Sequence, residues 1–98
     1  MVKKAKSIQD LSLGAITLEK KQGSRLVYAV GTMKNNSEYQ HFGVRIILDL
    51  LDDQGLKIGS AEDYMGIMEP HKNWQVRALV VNPKTSQVRL ASIKEESE

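Results

Sequence analysis

The fold of this chain is decided by residues 31–55, which read GTMKNNSEYQHFGVRIILDLLDDQG. The middle of this stretch, residues 44–51, is mostly apolar and is flanked by turn-forming residues on both sides. Periodicity alone does not distinguish a helix from a strand here, because a helical stripe and a strand face collect equal numbers of apolar residues. The helical stripe would contain Val44, Ile47, Leu48 and Leu51, and the strand face Val44, Ile46, Leu48 and Leu50. Because the run is short and rich in β-branched residues, we predict a strand.

Two turns are predicted at the ends of this strand. Asn35-Asn36-Ser37 precedes it, and Asp52-Asp53-Gln54-Gly55 follows it. Asn35-Asn36-Ser37 also has the form of an N-glycosylation acceptor, but the tolerance of asparagine for left-handed backbone explains both asparagines, and a turn is the interpretation that we favour. Gly55 is expected to take the left-handed conformation that closes a hairpin.

The rest of the chain repeats this alternation of short apolar strands and turns. Further strands are predicted at 11–20 with a bulge or break at Gly14, at 25–34, around Leu56 and Ile58 as a short strand, at 74–80 and at 86–93. No long amphipathic helix competes with them. The pattern predicts an all-β fold, an antiparallel β-sandwich of six to seven strands.

The length and composition indicate a single domain. With 98 residues, the chain is long enough for one core and too short for two. We place the domain at residues 10–94, preceded by a flexible arm or linker at 1–9 and followed by a disordered acidic tail at 95–98. The chain lacks cysteine, which excludes a disulfide framework and thiolate chemistry. No apolar run approaches the roughly 20 residues of a membrane span, and we expect a soluble chain without an export signal.

The charge distribution gives no reason to expect a nucleic-acid partner. The net charge is +2, and residues 10–93 contain ten Lys or Arg and nine Asp or Glu, which leaves the body of the domain nearly neutral. A basic edge could form from Lys3, Lys4, Lys6, Lys20, Lys21 and Arg25. No aromatic residues are interleaved with these cations for base stacking, and solvation is their expected role.

Three pieces of the sequence resemble the FxLYD domain family of bacterial and archaeal proteins. Gly31, Met33, Asn35 and Ser37 resemble its Gly-x-Val-x-Asn-x-Ser stretch. Residues 48–52 resemble the Phe-x-Leu-Tyr-Asp signature, with leucine at both aromatic positions, and Asp53 and Gly55 follow as Asp-x-Gly. Residues 68–71 with Trp74 resemble the Leu-x-Pro-Gly loop and aromatic strand, with His71 where the family often has glycine.

The resemblance extends over about residues 11–93 and carries expectations about fold and role. It implies an immunoglobulin-like or fibronectin-like sandwich that serves as an accessory module in a membrane-anchored or multidomain protein. It also implies a parent protein that is extracytoplasmic or membrane-associated. The family has no established activity, so the resemblance assigns no catalytic residue and no cofactor to this chain.

The residues with reactive side chains form no recognisable catalytic pattern. His41 and His71 lie in different loops and are interpreted as surface residues, because a zinc site needs three or four ligands at suitable spacing. Asp49, Asp52 and Asp53, with Glu62 and Asp63, are a weak candidate calcium site, although Asp52 and Asp53 are sufficiently explained as turn residues. No serine lies in a nucleophile elbow, and no phosphate-binding loop is present.

The most distinctive feature is the apolar content on both faces of two predicted strands. One face of each strand must build the core, and the other is a candidate docking surface for another domain or for a second copy of the chain. The residues predicted for that surface are Val27, Ala29, Met33, Ile47 and Leu51. The sequence therefore predicts a non-enzymatic interaction module, and the alternative is an envelope accessory domain that binds calcium or a small ligand through the acidic turns.

Overall fold

The computed structural model describes residues 10–96, and the predicted arm at 1–9 and the last two residues lie outside them. The described residues form an all-β fold without a helix. The seven strands are β1 (Leu11–Leu13), β2 (Thr17–Lys20), β3 (Val27–Asn35), β4 (His41–Leu51), β5 (Lys57–Met68), β6 (Asn73–Val80) and β7 (Gln87–Glu95).

The strands form two antiparallel sheets that pack together as a β-sandwich. In one sheet β4 lies between β5 and β7. In the other, β3 is central, with β6 on one side and both β1 and β2 on the other side. Thr17–Lys20 and Leu11–Leu13 pair with consecutive parts of β3, so the two short strands together make one pass along the sandwich.

The interruption between β1 and β2 is the predicted break at Gly14. The Gly14 N–H leaves the regular ladder and donates to the Thr32 carbonyl at 2.9 Å. Gly31 of β3 lies beneath this crossing, where a Cβ atom would stand 3.3 Å from the Ala15 carbonyl oxygen. A side chain at position 31 would therefore press against the chain as it passes from β1 to β2.

The number of passes places both ends of the described chain at one end of the sandwich. The strands make six antiparallel passes, because β1 and β2 count as one, and an even number of passes returns the chain to its starting side. We call this side the terminal pole; it holds Asp10, the turns at 36–40 and 69–72, and residues 95–96. The distal pole holds the loops at 21–26, 52–56 and 81–86. The longest dimension of the molecule is 44 Å.

A single apolar core fills the space between the sheets. On β4 the predicted strand face, Val44, Ile46, Leu48 and Leu50, has no exposed surface, which confirms the choice of strand over helix. The opposite sheet contributes Ala29, Met33, Trp74, Val76 and Ala78. Burial of one such large aliphatic side chain contributes about 1.5–3 kcal/mol to folding.

The predicted docking surface is wrong at four of its five residues. Ala29 and Met33 have no exposed surface, and Leu51 is 6% exposed. Both faces of β3 are apolar, and its register with β6 turns Ala29 and Met33 toward the core beside Ala78 and Trp74. Val27, on the same face of β3, packs against the core as well. Ile47 is half-buried.

Two predicted boundaries also differ from the structure. β5 has 12 residues, although a short strand was expected around Ile58, because pairing with β4 extends it to Met68. The predicted acidic tail begins inside the fold. Glu95 belongs to β7, and the Glu96 N–H donates to the Gly43 carbonyl at 3.0 Å.

Candidate functional site

The densest group of polar side chains lies at the terminal pole. We call it the polar cluster and define it as Asp10, Asn35, Ser37, His41 and Glu95. These residues come from the segment before β1, the end of β3, the turn at 36–40, the start of β4 and the end of β7. Three separate stretches of the chain, residues 10, 35–41 and 95, therefore meet at one site.

His41 lies at the centre of this cluster and is not the surface residue that we predicted. Its side chain is only 12% exposed. The ring nitrogen Nε2 lies 3.1 Å from Asp10 Oδ2, and Nδ1 lies 3.1 Å from Glu95 Oε1. The second oxygen of Glu95 accepts the Phe42 N–H at 2.8 Å, which fixes the carboxylate beside the ring.

The two carboxylates decide the charge of His41. Burial of the ring opposes its charged form, but the hydrogen bonds to Glu95 and Asp10 and their negative charges outweigh this effect. The pKa of His41 consequently lies above its ordinary value of 6.5. The imidazole therefore keeps its proton to a higher pH than an unperturbed histidine does.

Asn35 organises the other half of the polar cluster. It is fully buried at the end of β3. Its Nδ2 donates to the carbonyls of Tyr39 at 2.7 Å, Glu69 at 3.1 Å and Met68 at 3.3 Å. Its Oδ1 accepts the N–H and the hydroxyl of Ser37, at 2.9 and 2.7 Å. One side chain thus ties the turn at 36–40 to the turn at 69–72.

These contacts correct the sequence interpretation of the Asn35-Asn36-Ser37 turn. Among the described residues, His71 is the only non-glycine with a positive φ, so neither asparagine uses left-handed backbone. The turn instead depends on the Asn35 side chain replacing backbone hydrogen bonds. The same burial makes the Asn35 amide inaccessible as a glycosylation acceptor in the folded domain.

The polar cluster superficially resembles a serine–histidine–carboxylate triad. Ser37 Oγ lies 3.5 Å from His41 Nε2, and Glu95 binds the other ring nitrogen. However, Asp10 is closer to Nε2 than the hydroxyl is, and it favours a proton on that nitrogen. A general base must have this nitrogen unprotonated, and the Ser37 hydroxyl bonds Asn35 instead. The arrangement does not activate Ser37.

The polar cluster is also unsuited to binding a metal ion. Asp10 and Glu95 face opposite nitrogens of one ring and cannot converge on a common ion with it. Within residues 10–96, no group of three or more His, Asp or Glu side chains is arranged to hold a metal. His71, the second histidine, lies apart in the turn at 69–72, with φ of 59°.

The structure does not bring the candidate calcium residues together. Asp49 lies between Arg89 Nη2 at 3.0 Å and Lys57 Nζ at 3.2 Å, and the Arg89 hydrogen bond, with the contributions of Lys57, lowers the pKa of Asp49. Asp52 Oδ1 accepts the N–H groups of Gln54 and Leu56, each at 2.9 Å. Asp53 is exposed in the same turn.

The two further acidic candidates also have separate roles. Glu62 pairs with Arg45 at 2.9 Å. Asp63 accepts the Arg77 backbone N–H at 2.9 Å and so connects β5 with β6 across the open side of the sandwich. An acidic side chain at this position also blocks the exposed edge of β6 from pairing with another strand.

Large apolar side chains are exposed where β4 and β5 approach the terminal pole. Phe42 and Ile67 are direct cross-strand neighbours and are 52% and 55% exposed. Tyr64 is three residues before Ile67 on β5 and is 46% exposed, with the guanidinium of its cross-strand partner Arg45 5.4 Å from its ring centroid. We call Phe42, Tyr64 and Ile67 the apolar patch.

Comparison of the chain with protein-family models, curated proteins and solved structures finds no match.

The residues that the structure describes include no helix with the length and apolar character needed to cross a membrane.

Sequence reasoning missed most of the polar cluster. The sequence predicts Glu95 in a disordered tail, Asp10 at the start of the fold without a role, and His41 at the surface. No local signal marks these three residues, because they are far apart in the sequence and meet only after the sheets assemble. The apolar patch was missed for a related reason, since Phe42 and Ile67 become neighbours only through the register of β4 and β5.

Proposed function

We propose that this domain is a non-enzymatic interaction module of a larger prokaryotic protein. The observation that carries the proposal is the apolar patch, in which Phe42 and Ile67 are paired and exposed beside Tyr64. Adjacent exposed apolar side chains are a common feature of protein–protein contact surfaces. The role is to hold another protein domain, or a second copy of the chain, against this surface.

The state of the polar side chains supports the same role. Within residues 10–96, His41 is enclosed by two carboxylates and Asp49 by two cations. Each of these groups is used to hold strands or turns together. Catalytic groups in active sites are instead directed toward a position that a substrate can occupy.

The position of the chain ends supports a module that is attached at one side. Asp10 and Glu95 both contact His41, so both ends of the described residues lie at the terminal pole. The resemblance to FxLYD domains supports a parent of the same kind, membrane-anchored or multidomain. In such a parent the distal pole points away from the attachment.

Site-specific photo-crosslinking in the parent protein tests the proposal. We would place p-benzoylphenylalanine at Phe42 and, as a matched control, at Val81, which is 73% exposed near the distal pole. A discrete crosslinked product from position 42 and none from position 81 is expected. Equal products from both positions, or none from position 42, would contradict the proposal.

Calorimetry separates this role from calcium binding through Asp49, Asp52 and Asp53. We expect calcium chloride to produce no binding heat and no rise in the melting temperature, because Lys57 and Arg89 neutralise Asp49, and Asp52 is occupied by two N–H groups. Saturable heat that disappears in Asp49→Asn would establish the alternative.

A further inference from the structure

The two ends of the described chain are joined through one side chain. Asp10 precedes β1 and Glu95 ends β7, and each places a carboxylate oxygen 3.1 Å from a different nitrogen of His41. Backbone contacts fix both partners. The Asn36 N–H donates to the Asp10 carbonyl at 2.8 Å, and the Phe42 N–H donates to Glu95 Oε2 at 2.8 Å.

Only the charged ring satisfies both carboxylates. A protonated imidazole has two N–H donors, whereas a neutral imidazole has one donor and one lone pair. Once His41 loses its proton, one of the two carboxylates faces a lone pair at hydrogen-bond distance. Because that contact is repulsive, either the Asp10 side or the Glu95 side of the bridge must open.

The surroundings of His41 offer no substitute for this proton. The turn at 36–40 presents the Ser37 hydroxyl, which bonds Asn35 and Tyr39, and β5 presents the neutral Met68 opposite His41. The nearby charges are also engaged: Glu69 bonds Gln40, and Glu96 lies 3.9 Å from Arg45. None of the ion pairs within residues 10–96 joins a lysine or arginine to Asp10 or Glu95.

We propose that His41 is a proton-operated clamp that holds the outer ends of β1 and β7 together. With the ring charged, Asp10 and Glu95 are both fixed to it. With the ring neutral, one of the two contacts opens, and that strand end is held only by its backbone pairing. The clamp does not rest on the proposed function, although Phe42 of the apolar patch adjoins His41 and donates its N–H to Glu95.

The pH range in which the clamp is closed follows from the direction in which the environment shifts the pKa of His41. Glu95 and Asp10 raise the pKa of the folded-state ring above the 6.5 of an unperturbed histidine. The stabilisation is therefore complete below about pH 6.5 and is lost as the pH rises through the higher folded-state pKa. The clamp is closed in mildly acidic solution and opens as the pH rises above the folded-state pKa of His41.

Distance measurements between paired spin labels test the clamp. Labels at the exposed positions Ser12 and Lys94 report on the terminal pole, and labels at Gln54 and Lys84 provide a matched control pair at the distal pole. We expect a narrow distance distribution for the terminal pair at acidic pH and a broad one at alkaline pH. The control pair should keep one distribution throughout. Equal widths for the terminal pair at both pH values would overturn the proposal.

The variant Asp10→Asn distinguishes a clamp from a purely structural contact. It removes one of the two carboxylates that raise the pKa of His41, so the midpoint of the His41 ring titration should move downward. The introduced amide can donate to the neutral ring, so the pH-dependent broadening should disappear. Nuclear magnetic resonance measures the ring midpoint, with His71 as the internal control, and in the wild type this midpoint should coincide with that of the broadening. A midpoint that does not move, or a ring that titrates at or below its ordinary pKa, would contradict the clamp.

Discussion

The two turns at the ends of β4 are marked by similar residues in the sequence but are stabilised in different ways. At the terminal pole, the turn at 36–40 depends on Asn35, which bonds carbonyls in its own turn and in the turn at 69–72. At the distal pole, the turn at 52–56 depends on Asp52, which bonds only the N–H groups of Gln54 and Leu56. Turn-forming residues thus locate a reversal of the chain without revealing how much of the fold depends on it.

Burial accounts for the difference between these two turns. Asn35 has no exposed surface, and its removal breaks hydrogen bonds to three carbonyl groups that connect two turns, one of them in a buried position. Asp52 is half-buried, and the N–H groups that it binds lie on exposed residues that water can hydrate. Substitutions at the two ends of β4 therefore compare how much long-range and local hydrogen bonds contribute to the free energy of unfolding.

The largest loss of stability is expected from substitution of Asn35. Asn35→Ala should lower the free energy of unfolding by about 3 kcal/mol, because it removes a buried side chain that hydrogen-bonds three carbonyl groups and Ser37. Urea denaturation measures the loss. The control is Asn36→Ala, which removes one exposed hydrogen bond to Ser12 and should change stability by about 0.5 kcal/mol or less. Equal losses in the two variants would remove the distinction between the turns.

A second large effect is expected at Gly43, also near the terminal pole. Its φ is +63°, and a Cβ atom there would lie 2.9 Å from the Glu96 Cβ. Gly43→Ala should therefore cost about 2 kcal/mol, from left-handed strain and from displacement of Glu96. Gly66→Ala on the neighbouring strand is the control, since a Cβ there meets nothing within 4 Å. Thermal unfolding that ranks Gly66→Ala as the more damaging substitution would refute this account.

A smaller effect is expected at Asp52. Asp52→Ala removes the acceptor of two backbone N–H groups in an accessible turn and should cost about 1 kcal/mol. Asp52→Asn keeps an oxygen in the same position and should recover most of the loss. If chemical denaturation shows that Asp52→Ala loses as much stability as Asn35→Ala, then more of the fold than the turn at 52–56 depends on Asp52.

The smallest effect is expected at Asp49, and it depends on pH. Its pKa is lowered from 3.8, so the stabilisation is present above that pH and is lost as the pH falls through the folded-state value. The side chains of Lys57 and Arg89 are 58% and 59% exposed, and salt will weaken both ion pairs. The stability difference between the wild type and Asp49→Asn should vanish in acid and shrink in high salt. A difference that persists at low pH would contradict the ion-pair explanation.

The features that sequence reasoning predicted correctly are those that depend on neighbouring residues. The break at Gly14, the left-handed backbone at Gly55 and the alternation from Trp74 to Val80 are each confirmed. Backbone freedom at glycine and the two-residue period of extended chain are local properties. They act in the same way whatever the rest of the molecule does.

The errors arose where a distant strand decides the outcome. β5 contains Gly59, Asp63 and Gly66, which have low strand propensity, and its length is imposed by pairing with β4. β3 has apolar residues on both faces, so its core face depended on the register with β6. The candidate site shows the same dependence, because His41 obtains its two carboxylates from opposite ends of the described chain.

Apolar alternation and turn residues act over a few positions, so they specify a β-sandwich of short antiparallel strands without reference to distant residues. Which faces are buried and which charges meet is set by packing. Those outcomes depend on strand register and on the even number of passes that brings Asp10 and Glu95 to the same pole. Hydrogen bonds and ion pairs act at distances of about 3 Å, so they form only after packing has placed remote residues side by side.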